Sequence, residues 1–255
     1  MNILITGASS GIGEALAEHY AQENANLFIS GRNSDRLVEV EARCKKLGGT
    51  CQSHTLDVKD RDAMADWVAE CETTHPLDLV IANAGISGGT SFVNDGTPLN
   101  LNVDREIFET NISGVMNTIH PAIEVMKTRK RGHIAIVSSI ASYTALPGAA
   151  SYSASKAAVR YYGEALAIKL KPLGISVSII CPGFIESRIT AANKFPMPFL
   201  MSAPKAAKII ANGLSKKKTK IEFPLPMVAA IKCINLIPYS LKRDIFSHLP
   251  EKHSH

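Results

Sequence analysis

The first thirteen residues constrain the fold more than any other stretch of the chain. Asn2 to Thr6 is a short apolar run rich in isoleucine, and it leads into Gly7-Ala8-Ser9-Ser10-Gly11-Ile12-Gly13. From Glu14 to Glu23 the positions Ala15, Leu16, Ala17 and Tyr20 recur at helical spacing. The order is strand, glycine-rich turn, helix. Glycines at such a turn let the backbone approach a phosphate, and the helix N-terminus offers unpaired N–H groups and a partial positive charge to it. A glycine-rich turn alone is a weak sign, but between a strand and a helix it stands in the context that dinucleotide binding requires. The expected contacts to such a cofactor are Gly7, Ser9, Ser10, Gly11, Ile12 and Gly13.

The same alternation continues. Strands are predicted over Asn26 to Ser30, Cys51 to Leu56, Leu77 to Ala82, Ile134 to Ser138 and Ile175 to Cys181. Helices are predicted over Ser34 to Leu47, Asp60 to Thr74, Asp104 to Lys127 and Ser151 to Leu170. Strands separated by helices of this length imply crossover units: an α/β fold, a doubly wound Rossmann-like parallel sheet flanked by helices on both faces. Ligands then bind at the carboxyl ends of the strands. Asp57-Val58 and Asn83-Ala84-Gly85 fall at such ends. Plain turn chemistry is the other reading of these residue types, and their position favours cofactor contact.

About 20 residues after the glycines an NAD-binding unit carries an acid for the ribose 2′-hydroxyl. This chain has Gly31-Arg32 there. An arginine pairs with a 2′-phosphate, so NADP is favoured over NAD. The alternative makes Arg32 an ordinary loop residue and gives the ribose to Asp35.

Ser87 to Asn102 reads as a loop long enough to line a site. Asn111 lies inside the helix that follows and is either a solvated blemish or a polar device. Beyond Pro182-Gly183 the pattern changes: Phe195, Met197, Phe199, Leu200 and Met201 alternate with Pro196 and Pro198, as in an irregular apolar lid. A short helix over Ala206 to Leu214, an edge strand over Ile221 to Leu225 and an apolar helix over Met227 to Ile237 follow. That last helix is expected to bury against its own domain or a second subunit in preference to a membrane surface. With no Pro/Gly/Ser-rich linker, residues 1–255 read as a single domain, with 184–214 as the lid region and 215–255 as a C-terminal extension.

Composition narrows the setting. A chain of 255 residues that is 45% hydrophobic can bury a core. The formal charge of +5 comes partly from Lys216, Lys217, Lys218 and Lys220, which read as a solvated loop, so no nucleic-acid partner is expected. Five widely spaced cysteines with no C-x-x-C suggest reduced thiols, and no metal site is expected. No signal-peptide pattern or membrane-spanning run is visible, which points to the cytoplasm.

Chemistry centres on Ser151-Tyr152-Ser153-Ala154-Ser155-Lys156. On a helix, residues four apart share a face, so Tyr152 and Lys156 point into one space. An ammonium there is expected to lower the phenol's pKa and let Tyr152 exchange protons near neutral pH.

With Thr6-Gly7-Ala8-Ser9-Ser10-Gly11-Ile12-Gly13, Asn83-Ala84-Gly85, Ser139 thirteen residues before Tyr152, the Tyr152 to Lys156 spacing and Pro182-Gly183, the chain resembles the short-chain dehydrogenase/reductase family in its compact form over about residues 1 to 215. The resemblance implies a catalytic set of Asn111, Ser139, Tyr152 and Lys156. It implies further cofactor contacts at Pro182, Gly183, Ile185 and Ser187, the last replacing the usual threonine with a hydroxyl retained. Ser139 would hydrogen-bond the substrate carbonyl oxygen, Tyr152 would act as general acid or base, and Lys156 would also hold the nicotinamide ribose. The Asn111 main chain would anchor a water. The implied function is NADPH-dependent hydride transfer to a carbonyl, or from a secondary alcohol, on a hydrophobic small molecule, by a homodimer or homotetramer. A non-catalytic NADP-binding sensor or scaffold of the same fold is the alternative.

Overall fold

The computed structural model describes residues 1–88, 101–191, 193 and 195–246. The stretch 89–100, most of the expected site-lining loop, lies outside the described residues. In chain order the elements begin with β1 (Asn2–Thr6), α1 (Gly11–Ala21), β2 (Asn26–Gly31), α2 (Ser34–Lys46), β3 (Thr50–Thr55), α3 (Arg61–Thr74) and β4 (Leu79–Ala82). Then come α4 (Leu101–Phe108), a π-helical turn over Glu109–Ser113, α5 (Gly114–Arg129), β5 (Gly132–Val137), α6 (Ala150–Leu170) and β6 (Ile175–Pro182). The chain continues through α7 (Arg188–Ala191), α8 (Ala203–Ser215), β7 (Lys220–Phe223), α9 (Leu225–Ile234) and α10 (Tyr239–Phe246).

The strands form one parallel sheet in the order β3-β2-β1-β4-β5-β6-β7. The doubly wound fold expected from the alternation is therefore the fold observed. Successive side chains of a strand point to opposite faces, and β1 shows the result. Ile3 and Ile5 pack with α1, α2 and α8 in one apolar layer, while Leu4 packs with α3, α5 and α6 in the other. Both faces are covered, so the central strands are buried nearly throughout, with all six residues of β5 buried, while the edge strands β3 and β7 are partly exposed.

Strand order reverses between β1 and β4, which opens a crevice at their carboxyl ends. Side chains brace it. Asn83 Nδ2 donates to the Thr6 and Gly7 carbonyls at 2.9 and 3.1 Å, and the Asn83 and Ala84 amides donate to Thr6 Oγ1 at 3.2 and 3.3 Å.

Two expected helices differ in their bounds from the sequence reading, and the packing of α6 adds a further local feature. The single helix over Asp104 to Lys127 starts earlier, at Leu101, and is interrupted by the π turn that holds Asn111. The small residues Ala154, Ala158 and Ala165 of α6 face outward; close packing inward comes from Gly163, where a Cβ would sit 2.9 Å from Ile179 and 3.1 Å from Ile136. The helix expected over Met227 to Ile237 is α9, which starts at Leu225 and ends at Ile234, and α10 follows beyond it. Val228 of α9 is buried, and Met227 and Ile231 pack on the second apolar layer, but Leu225, Ala229, Ala230 and Cys233 face outward.

Candidate active site

The glycine-rich turn leaves β1 with Gly7 at φ +67° and enters α1 with Gly11 at φ +62°, a region that favours residues without a Cβ. A Cβ at Gly7 would lie 2.6 Å from Ala84 Cα, and one at Gly11 would lie 3.1 Å from Ser187 Cβ. Gly13 has a different duty. A Cβ there would meet Asn83 Nδ2 and the Gly7 carbonyl at 2.5 Å, so this glycine lets α1 pack against the turn and does not line the cavity.

A cavity of about 740 Å³ runs along the carboxyl edge of the sheet. Its walls include Gly7, Ser9 to Ile12, Arg32, Asp57, Val58, Asn83 to Gly85, Ser139, Tyr152, Lys156, Pro182, Gly183, Ile185 and Ser187. Of the expected catalytic and cofactor-contact residues, Gly13 and Asn111 stand behind the wall, and none of the expected lid residues Phe195, Met197, Phe199, Leu200 and Met201 is part of it. Asp35, the alternative partner for the ribose, is not part of the wall either.

Ser139, Tyr152 and Lys156 converge at one end. Ser139 follows β5 and its Oγ accepts from the Ala141 amide at 3.1 Å, which orients the hydroxyl. The same hydroxyl lies beside the Tyr152 phenol and acts to lower its pKa. Lys156 is 4% exposed; its Nζ donates to the Val137 carbonyl at 2.9 Å and stands 5.9 Å from the centroid of the Tyr152 ring. Ser138 Oγ in turn donates to the Lys156 carbonyl at 2.8 Å, locking α6 to the end of β5.

Burial raises the Tyr152 pKa above the ordinary phenol value, and the Ser139 hydroxyl pulls it back. Lys156 is pushed down to about 8 by burial. Lys156 is not among the groups that shift the Tyr152 pKa here. The ammonium is committed to Val137, and Ser139 is the group that opposes burial.

Asn111 is a fully buried polar device. Its Oδ1 accepts from the Ile86 amide at 2.9 Å, and its Nδ2 donates to the Ile86 carbonyl and to Ser155 Oγ, both at 3.0 Å. Ser155 Oγ donates to the Tyr152 carbonyl at 2.8 Å. A Cβ at Gly85 would come within 3.1 Å of both Asn111 Oδ1 and Lys156 Nζ. The amide therefore fixes the strand-end turn and the catalytic helix against each other.

With this geometry in view, comparison with known proteins is decisive. A profile of short-chain dehydrogenases matches residues 1–196. The chain belongs to the short-chain dehydrogenase/reductase family. It is 35% identical over 239 residues to an uncharacterised oxidoreductase of Myxococcus xanthus, covering 93% of each chain. A family member from Burkholderia phymatum solved with NAD superposes with a TM-score of 0.83 at 20% identity, covering 92% of each chain. A short-chain dehydrogenase from Sphingobium yanoikuyae solved with NADPH gives 0.80 at 21% identity, covering 100% of this chain and 98% of that one. As a member of the family, the chain is an NAD(P)-dependent oxidoreductase acting on CH–OH and C=O groups.

The cavity also has walls that the sequence reading passed over. Arg36, in the first turn of α2, lines it four residues after Arg32. Glu106 and Ile107 of α4 and Thr110 of the π turn also line it, and Thr110 Oγ1 is buried with no hydrogen-bond partner. Nothing in the sequence tied that segment to Arg32. Thr190 is a further addition: its Oγ1 accepts from the Ser187 amide at 2.9 Å and donates to the Ile185 carbonyl at 2.7 Å, shaping the turn that presents Ser187.

Proposed function

We propose that the chain is an NADP-preferring oxidoreductase for the carbonyl or secondary alcohol of a hydrophobic small molecule. The carrying observation is one cavity with Ser139, Tyr152 and Lys156 at one end and the cations Arg32 and Arg36 in its wall. The residues present fit a dinucleotide: the glycine cradle would be filled by any Cβ, and its open side faces the start of α1.

Gly7 and Ser9 to Ile12 would hold the diphosphate, and Asp57, Val58, Asn83, Ala84 and Gly85 the adenosine half. Arg32 would hold the 2′-phosphate. Lys156 and Tyr152 would hold the nicotinamide ribose, and Pro182, Gly183, Ile185 and Ser187 the nicotinamide. When bound, the cofactor supplies or accepts the hydride. Ser139 donates a hydrogen bond to the substrate oxygen, where negative charge grows during reduction. Tyr152 delivers the proton to that oxygen, or removes it in the oxidative direction. Ser139 favours the phenolate and Lys156 adds positive charge beside it. Ile185 and Ile189, the apolar side chains of 184–214 that line the cavity, suit a hydrophobic substrate.

The same reading treats residues 1–255 as one domain, with 184–214 as its lid and 215–255 as an extension. It makes the protein a cytoplasmic homodimer or homotetramer. Five free thiols suit a reducing compartment, and among the described residues no helix is long and apolar enough to cross a membrane.

Replacing Tyr152 with phenylalanine tests the proposal. Turnover on a carbonyl panel, followed at the NADPH absorbance, should fall by about 10²- to 10⁴-fold, with NADPH still bound through the remaining contacts. A fully active variant would remove Tyr152 from the mechanism. Cofactor binding by the wild type with no turnover on any substrate would favour a binding role.

A further inference from the structure

We propose that Glu106 limits how strongly this chain prefers a phosphorylated dinucleotide, by engaging the Arg32 guanidinium that the 2′-phosphate would use. The inference rests on the NADP reading above. Arg32 follows β2 and Glu106 stands on α4, so the two reach the cavity from different elements, and both line it. Arg32 Nη1 lies 3.4 Å from Glu106 Oε1. Arg36 lines the same cavity.

A phosphate monoester brings about −1.5 to −2 charges at neutral pH. To accept it, Arg32 must turn from Glu106, and the carboxylate is left beside like charge. A cofactor whose ribose carries only a hydroxyl makes no such demand, and a carboxylate is a suitable acceptor for that hydroxyl. The glutamate therefore acts against the phosphorylated form alone. Glu106 is a positioning residue for Arg32 in this account. The two side chains are 53% and 47% exposed, so solvent screening keeps the effect modest, roughly three- to tenfold in affinity.

Calorimetric titration of the full chain with adenosine 2′,5′-bisphosphate and with adenosine 5′-monophosphate tests this without turnover. Glu106→Gln should bind the bisphosphate roughly three- to tenfold more tightly, with the monophosphate affinity little changed. The gain should vanish when Arg32→Ala is added, because coupled residues fail to be additive. Glu106→Ala should change the bisphosphate affinity in the same direction, which separates loss of charge from a change of shape. If Glu106→Gln leaves bisphosphate binding unchanged while Arg32→Ala weakens it, the inference fails and the NADP reading stands. A gain that survives in the Arg32→Ala background also overturns it, since the carboxylate would then act without Arg32. If Arg32→Ala weakens neither ligand, the NADP reading itself falls and takes the inference with it.

Discussion

Asn111 and Ile86 hold each other through a reciprocal pair of hydrogen bonds, side-chain amide to main chain, at 2.9 and 3.0 Å. The pair does for the segment after β4 what a neighbouring strand does inside a sheet: it satisfies both polar groups of one residue. Because Asn111 sits in the π turn between α4 and α5, the interruption of the helix and the fixing of the strand end are one local device.

Asn111→Ala leaves the Ile86 amide and carbonyl without their partners and removes a donor from Ser155. Each buried group left unpaired costs about 1 to 3 kcal/mol. The expected outcome is a clear drop in melting temperature together with reduced turnover, because Gly85 and Lys156 meet at the same point. Asn111→Asp keeps the acceptor for the Ile86 amide and should fall between the two. Unchanged melting in the alanine variant would show that the pair contributes nothing to the fold.

Ser139 opposes the burial that raises the Tyr152 pKa. Removing its hydroxyl should therefore push the phenol further up. In the oxidative direction, which needs the phenolate, the rising limb of the kcat/KM profile should move to higher pH in Ser139→Ala, on top of a loss of turnover. A loss with no displacement of the limb would assign Ser139 to the substrate oxygen alone.

Lys156 links the site to stability. Its pKa is pushed from the ordinary lysine value near 10.5 to about 8 by burial. Between these values the unfolded chain binds more protons at this group than the folded one, so stability rises with pH across the window. Below about pH 8 both states are protonated and the burial penalty is fully present. The slope from one such group cannot exceed about 1.4 kcal/mol per pH unit. Lys156→Met should flatten that rise and leave the protein no less stable at pH 7, while removing turnover. Chemical denaturation across pH 8 to 10 measures it, and an unaltered slope would contradict the assignment.

The sheet and the glycine-rich, strand-end part of the cavity wall were legible in the sequence because they depend on local patterns. Buried strands of Ile and Val, caps such as Asn33 and Asp60, and glycines at strand ends each act within a few residues. What escaped was set by contacts across the fold. Glu106 meets Arg32 over 74 positions, and Asn111 meets Ile86 over 25 through a helix interruption that no periodicity signals. The Tyr152 to Lys156 spacing was legible, but not the competition from the Val137 carbonyl, which depends on the depth at which α6 lies on β5. Which way the alanines of α6 face is set at the same range, because small residues suit close packing on either face.

Those alanines make the last prediction. Ala154, Ala158, Tyr161, Ala165 and Ile168 are all exposed on α6 and follow one another at helical spacing, so they form a single apolar stripe. Tyr161 is 65% and Ile168 79% exposed, which is costly for a face left in water. Small residues between them would let a second copy of the helix approach closely, in keeping with the oligomer expected for this family. Ala158→Arg places a charge at the centre of the stripe while leaving the monomer's packing untouched. Light scattering should give a multiple of the 27.4 kDa chain mass for the wild type and the single-chain mass for the variant. A wild type that is already monomeric, or a variant that remains assembled, would remove this face from the interface.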